Sequence, residues 1–147
     1  MPEKATLERA RRDKRQGKAP STQAGEFVRE EIHHVREGKH GARSTKQAIA
    51  IGLSKARRAG VDLGQPPANA KSGTKRSAES ASHRAGKSTS TRRSRATRSA
   101  LKREGHRAAS HSALSRQAKG AARKRSASSR SAAARKAART RRRRAEA

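Results

Sequence analysis

The sequence predicts a mainly α protein: a small helical head, made of an αα-hairpin plus an N-terminal helix, followed by a largely disordered basic tail able to form short helices. Three observations lead there. Large apolar side chains are confined to the front of the chain, where Leu7, Phe27, Val28, Ile32, Val35, Ile49, Ile51, Leu53, Val61 and Leu63 all precede residue 64. Within that stretch they recur at i, i+4 and i+7, the spacing of a helix with one buried face. Residues 65–147, by contrast, hold only Leu101 and Leu114 as large aliphatics and carry 25 Lys and Arg against the acids Glu79, Glu104 and Glu146. Such a segment cannot bury enough apolar surface to offset its chain entropy.

The first helix is expected from Pro2 to about Gln16, because Pro2 suits a helix start, strong helix formers follow, and Gly17 ends the run. Leu7 is its one large aliphatic, so this helix is expected to fray or to depend on a partner. A second helix opens around Pro20 to Thr22 and closes at Gly38, with Val28, Ile32 and Val35 on one stripe beside Phe27. Arg29, Glu30, Arg36 and Glu37 are assigned to its solvent face.

The third helix carries the clearest boundary signals. Ser44-x-x-Gln47 matches a capping box, and Gly60 stands where a left-handed residue ends a helix, with Val61 placed for the accompanying apolar contact. Ile49, Leu53 and Ala56 form its expected buried stripe, while Ala48, Gly52 and Ala59 are small enough for close helix approach. The short turn over 39–43 makes helices two and three an αα-hairpin. Ten large side chains in residues 1–63 make a marginal core, so stability is expected to draw on a protein partner or a homo-oligomer.

At Gly64-Gln65-Pro66-Pro67 the composition changes, and 69–87 is a Ser/Ala/Gly/Lys stretch without apolar period. Residues 64–91 are therefore expected as a flexible linker and 92–147 as a cationic Ala/Ser/Arg-rich tail. A spacing of 16 recurs in the tail: Ser99, Ser115 and Ser131 are each followed four residues on by Arg103, Lys119 or Arg135, and eight on by Arg107, Arg123 or Arg139. It suggests short Ala/Arg helices, each started by a serine cap, that form once phosphates neutralise their self-repulsion.

The net charge of +29 calls for a polyanion. The residues expected to bind nucleic acid are Arg92, Arg93, Arg95, Arg98, Lys102, Arg103, Arg107, Arg116, Lys119, Arg123, Lys124, Arg125, Arg130, Arg135, Lys136, Arg139 and the terminal run Arg141, Arg142, Arg143 and Arg144. Arg43, Lys46, Lys55, Arg57 and Arg58 add a basic edge to the head. Guanidinium forks onto phosphate, whereas stacking of single-stranded bases needs several aromatic rings, and Phe27 is the one aromatic side chain present. Duplex backbone is thus the expected target, with RNA as the alternative. A helix-turn-helix reader fits poorly, because the start of the third helix offers only Lys46 and Gln47 for base contacts.

Other chemistry is not expected. The chain lacks cysteine, a phosphate-binding Gly-rich loop, a GxSxG elbow and an HExxH pair, and its core is too small to shape a water-excluding pocket, so no enzyme, cofactor or metal is assigned. His33, His34 and His40 lie near Glu30, Glu31 and Glu37, with His33 and Glu37 at i, i+4, and are read as solvated or ion-paired side chains. No apolar run approaches the ~20 residues that cross a bilayer, and no secretory h-region opens the chain. A cytoplasmic, nucleoid-associated protein is expected.

The string Pro20-Ser-Thr-Gln-Ala-Gly-Glu-Phe-Val-Arg-Glu-Glu-Ile, with Glu37-Gly-Lys-His-Gly-Ala-Arg-Ser-Thr-Lys-Gln-Ala-Ile-Ala-Ile-Gly-Leu-Ser-Lys-Ala-Arg-Arg-Ala-Gly, resembles a family of small bacterial proteins of unknown function often labelled DNA-binding. The resemblance covers 1–63 and carries no catalytic or binding residues with it. The tail resembles in composition those of bacterial histone H1-like proteins, although serine and arginine replace much of their usual lysine and proline. Together these imply a non-enzymatic, sequence-nonspecific, histone-like DNA-binding protein that neutralises and bridges phosphates. The alternatives are an RNA-binding or ribosome-associated basic protein, and a protein-interaction head with a nonspecific polyanion-binding tail.

Overall fold

Helices α1 (Lys4–Arg15), α2 (Pro20–Arg36), α3 (Thr45–Arg58), α4 (Ser72–His83), α5 (Thr91–Lys102), α6 (His111–Arg123) and α7 (Ala127–Ala145) follow one another, with a 3₁₀ turn at Arg107–Ala109; no strand occurs among the described residues. The computed structural model describes residues 1–146, with the side chain of Arg144 outside that description. It contains two compact units, Met1–Ser110 and His111–Ala147. Among the described residues no helix is long and apolar enough to cross a membrane. The mainly α expectation holds.

Helix α2 begins with Pro20 at its first turn, where a missing N–H costs nothing, and buries Phe27, Ile32 and Val35, leaving Val28 partly covered. Helix α3 starts at the expected serine cap, Gln47 N–H donating to Ser44 Oγ at 3.2 Å, while the return contact of Gln47 Oε1 falls one residue earlier than in a capping box, accepting from Arg43 N–H at 2.7 Å. It ends in a Schellman motif, with Gly60 at φ +85°, Val61 N–H donating to Ala56 O and Gly60 N–H to Arg57 O, each at 3.0 Å. Val61 then packs with Leu7, Leu53 and Leu63 around Ala10, Ala24, Phe27 and Ala56.

The stripe of α3 that faces α2 is the small one. Ala48, Gly52 and Ala56 are buried while Ile49 and Leu53 are partly covered, and a Cβ on Gly52 would lie 2.7 Å from Val28 Cα. Ala59, expected among these close-approach positions, is instead the exposed C-cap. The close approach of the two backbones rotates the seam toward the small residues and leaves the larger ones flanking it.

Helix α1 is docked on α2. Ala10 and Thr6 are buried, Leu7 joins the apolar cluster, Arg9 Nε pairs with Glu26 Oε2 at 2.6 Å, and Glu3 N–H donates to Glu30 Oε2 at 3.0 Å. Polar links thus supply what one leucine could not.

The largest correction concerns the tail, expected as mostly disordered. Residues 64–91, read as a flexible linker, contain α4, which packs on α3 and buries Ala78 and Ala81. After α5 the chain returns to the turn between α2 and α3: Gly41 N–H donates to Leu101 O at 2.9 Å and Ala42 N–H to Gly105 O at 3.0 Å. Ala108 and Ala109 are buried there, their carbonyls accepting from Thr45 Oγ1 at 2.6 Å and Arg36 Nε at 2.8 Å. Backbone hydrogen bonds and alanine methyls do here what large aliphatics do elsewhere.

In the second unit, α6 places Ala113, Leu114, Gln117 and Gly120 on its partly covered side and Arg116, Lys119 and Arg123 on an exposed one. Helix α7 is capped by Ser126, whose Oγ accepts from Ser129 N–H at 3.2 Å, and Arg125 Nη2 donates to Ser129 Oγ at 2.9 Å. The 16-residue spacing does not mark caps, for Ser99, Ser115 and Ser131 all lie inside helices. Alanine and arginine are both strong helix formers, which accounts for helix without a core.

Candidate nucleic-acid interface

The helical tail carries its cations outward. Arg92, Arg93, Arg95, Arg98 and Lys102 on α5, then Arg103 and Arg107, are exposed. So are Arg116, Lys119 and Arg123 on α6, Lys124 and Arg125 after it, and Arg130, Arg135, Lys136, Arg139, Arg141, Arg142 and Arg143 on α7. Arg144 was expected with them, but its side chain lies outside the described residues. Among the described residues of this set, Arg142 is the one that meets a carboxylate, Glu146 at 3.2 Å in an exposed i, i+4 pair.

Along α7 the charge has a useful spacing. Arg135, Arg139 and Arg142 fall at i, i+4 and i+7 and share one face, with Lys136 and Arg143 beside it. The helix has 19 residues and eight Lys or Arg. At ~1.5 Å rise it is about 28 Å long, close to one cation per ~3.5 Å. Phosphates on one DNA strand follow at about 3.4 Å.

The basic edge expected on the head is used differently. Lys46 is exposed, and Arg43 is exposed with Glu104 Oε1 at 3.7 Å. Arg57 reaches Gly64 O at 3.4 Å, and Arg58 bonds the Thr89 hydroxyl while its carbonyl accepts from Gly86 N–H at 3.1 Å. Lys55 is turned inward: its Nζ lies 2.7 Å from Glu31 Oε2 and 3.2 Å from Glu30 Oε1. It serves the fold and is not presented to a phosphate.

That inward turn exposes what the sequence did not disclose. Glu30, assigned to a solvent face, is 4% exposed, and Glu31 is 0% exposed. Both Glu31 oxygens lack an aligned hydrogen-bond donor, so its contact with Lys55 is an ion pair only. His40 Nε2 faces Glu31 Oε1 at 3.3 Å, and the rings of His34 and His40 meet edge-on with centroids 6.0 Å apart. His33, by contrast, is exposed, 3.9 Å from Glu37. A Glu31-x-x-His34 spacing was the available signal; the return of His40 depends on the turn and has no period. Nearby, hydrogen bonds from His34 and Lys39, with the charge of Lys39, hold the Glu3 carboxyl below its ordinary pKa. Glu37 and Glu3 in turn raise that of Lys39.

A groove between α1 and α2, lined by Glu3, Arg9, Arg29, His33, His34 and Lys39 among others, is charged and open to solvent. Comparison with protein-family profiles, with curated proteins and with solved structures finds no match.

Proposed function

We propose that this chain is a non-enzymatic, histone-like protein of the nucleoid that binds duplex DNA without sequence preference, neutralising and bridging backbone phosphates. The observation that carries this reading is the outward array of cations on α5, α6 and α7, which finds almost no internal counter-charge. Helix α7 adds a cation density along its axis that equals the phosphate density of one strand. The lack of aromatic platforms, with Phe27 fully buried, favours backbone contact over base stacking.

Binding of this kind is read from its salt dependence. Each neutralised phosphate contributes about −0.9 to the slope of log affinity against log salt on duplex DNA, so eight engaged cations give a slope near −7. Changing Arg135, Arg139, Arg142 and Arg143 together to Gln in the full chain keeps good helix formers and should flatten the slope by up to about 3.6. Fluorescence anisotropy with a mixed-sequence duplex measures it. An unchanged slope removes α7 from the interface, and a clear preference for structured RNA over duplex at matched salt overturns the DNA reading.

A further inference from the structure

We propose that Glu31, His34 and His40 form a binding site for a divalent transition-metal ion of the Zn2+ class, pinning the turn between α2 and α3 onto α2. Glu31 and His34 stand at i, i+3 on α2, one above the other on the same face, and the turn brings His40 back to them. One ligand atom from each lies within 4.8 Å of the other two.

The spacing fits an ion better than it fits a hydrogen bond. His40 Nδ1 donates to Gly41 O at 3.0 Å, which leaves the lone pair of the neutral ring on Nε2, pointed at Glu31 Oε1 at 3.3 Å. A lone pair and a carboxylate oxygen repel unless a proton or a metal ion lies between them. In a tetrahedral Zn2+ site with bonds of about 2.05 Å, neighbouring ligand atoms are about 3.3 Å apart. Glu31 Oε1 and His40 Nε2 already have that separation.

Charge points the same way. Glu30 and Glu31 are buried side by side, and Lys55 supplies one ammonium to the two of them. Lys55 sits on Glu31 Oε2, so Oε1 is the oxygen left to an ion, and one buried negative charge remains to be balanced. The outer surroundings are those of a metal-bound histidine: Glu3 Oε1 lies 2.9 Å from His34 Nε2, and Gly41 O holds His40. Two imidazole nitrogens and one carboxylate oxygen form a borderline-soft donor set, suited to Zn2+ and poorly matched to Mg2+ or Ca2+. Three protein ligands leave a fourth position for water.

The full chain, stripped with a chelator and free of DNA, would be titrated with Zn2+ alone by calorimetry, and with Mg2+ as the comparison. One Zn2+ per chain is expected, raising the unfolding midpoint, with no response to Mg2+. His34→Gln and His40→Gln should each weaken binding at least about tenfold, and Glu3→Gln, which alters an outer partner, about tenfold. His33→Gln should change nothing, since that ring is exposed beside Glu37 and is not one of the three clustered ligands. Co2+ loaded into the unaltered chain should give the intense visible bands of tetrahedral coordination, a readout independent of how any variant folds. Weak octahedral bands, or Zn2+ affinity unmoved by both His34→Gln and His40→Gln, would overturn the site.

Discussion

Replacing Gly41 with alanine probes most directly how the tail is tied to the head. A Cβ at Gly41 would overlap the carbonyl group of Glu104 and lie 2.8 Å from Gly105 O. These are backbone atoms, so no side-chain rotation relieves the conflict. Gly41 is not among the glycines with positive φ, and the effect is steric rather than conformational. The return segment must therefore leave the turn, giving up the hydrogen bonds from Gly41 and Ala42 to Leu101 and Gly105 and those from Thr45 and Arg36 to Ala108 and Ala109. At ~1 kcal/mol net for each, the four hydrogen bonds amount to about 4 kcal/mol. Chain entropy regained by the released segment lowers the actual loss, to about 1–3 kcal/mol. Urea unfolding of the full chain measures the loss, and amide exchange at Ala42 reports the local event. Gly25→Ala is the control: nothing lies within 4 Å of a Cβ there, and alanine should stabilise α2 by up to ~1 kcal/mol. A Gly41→Ala chain within ~0.5 kcal/mol of the parent, with the Ala42 amide still protected, would refute docking of residues 101–110.

Three further outcomes are expected. Gly52→Ala presses a methyl against the Val28 backbone and should cost about 1–3 kcal/mol in the same unfolding assay; a neutral result would mean that α2 and α3 are further apart. Lys55→Met leaves Glu30 and Glu31 buried without their ammonium and should cost about 3–5 kcal/mol, with no change in the salt slope of DNA binding. A changed slope would return Lys55 to the interface. Helix α7 holds Arg135 with Arg139, and Arg139 with Arg143, as like-charge i, i+4 pairs that each oppose the helix by ~0.2–0.5 kcal/mol, so the magnitude of the negative ellipticity at 222 nm should rise as salt increases from about 0.01 M to about 0.5 M. A fall would show that attractive pairs, not propensity, hold it.

Where the sequence carried local signals, they survived folding. The serine cap at Ser44, the Schellman ending at Gly60 and Val61, and proline at the start of α2 depend on neighbours within a few residues, and each forms as read, although Gln47 Oε1 turns to Arg43 N–H and not to the cap residue's own. What failed was part of the assignment of faces. Ala56 is buried and Ala48 and Gly52 are buried in the α2–α3 seam as expected, yet Ile49 and Leu53, placed inside, are only partly covered, and Glu30, placed outside, is buried with Glu31 beside the one ammonium of Lys55 from α3. Hydrophobic period ranks residues by transfer energy alone. It cannot weigh how closely two backbones approach, nor which cation a buried acid will meet.

The tail was misjudged for a related reason: low apolar content was equated with lack of structure. Two kinds of order escape that test. Residues 64–110 use alanine methyls and backbone hydrogen bonds to a head that supplies the complementary groups, so their order belongs to the head as much as to themselves. Helix α7 has no buried residue among those described and stands on alanine and arginine propensity with one serine cap, against the repulsion of its own charge. A helix polar all round is marginal in water, and whatever neutralises it must stabilise it. Salt can do so by screening, but it also weakens attachment to a polyanion; phosphates can do both at once. If the chain binds DNA as proposed, the same arginines that make α7 costly to fold alone would make its folding and that binding a single coupled event.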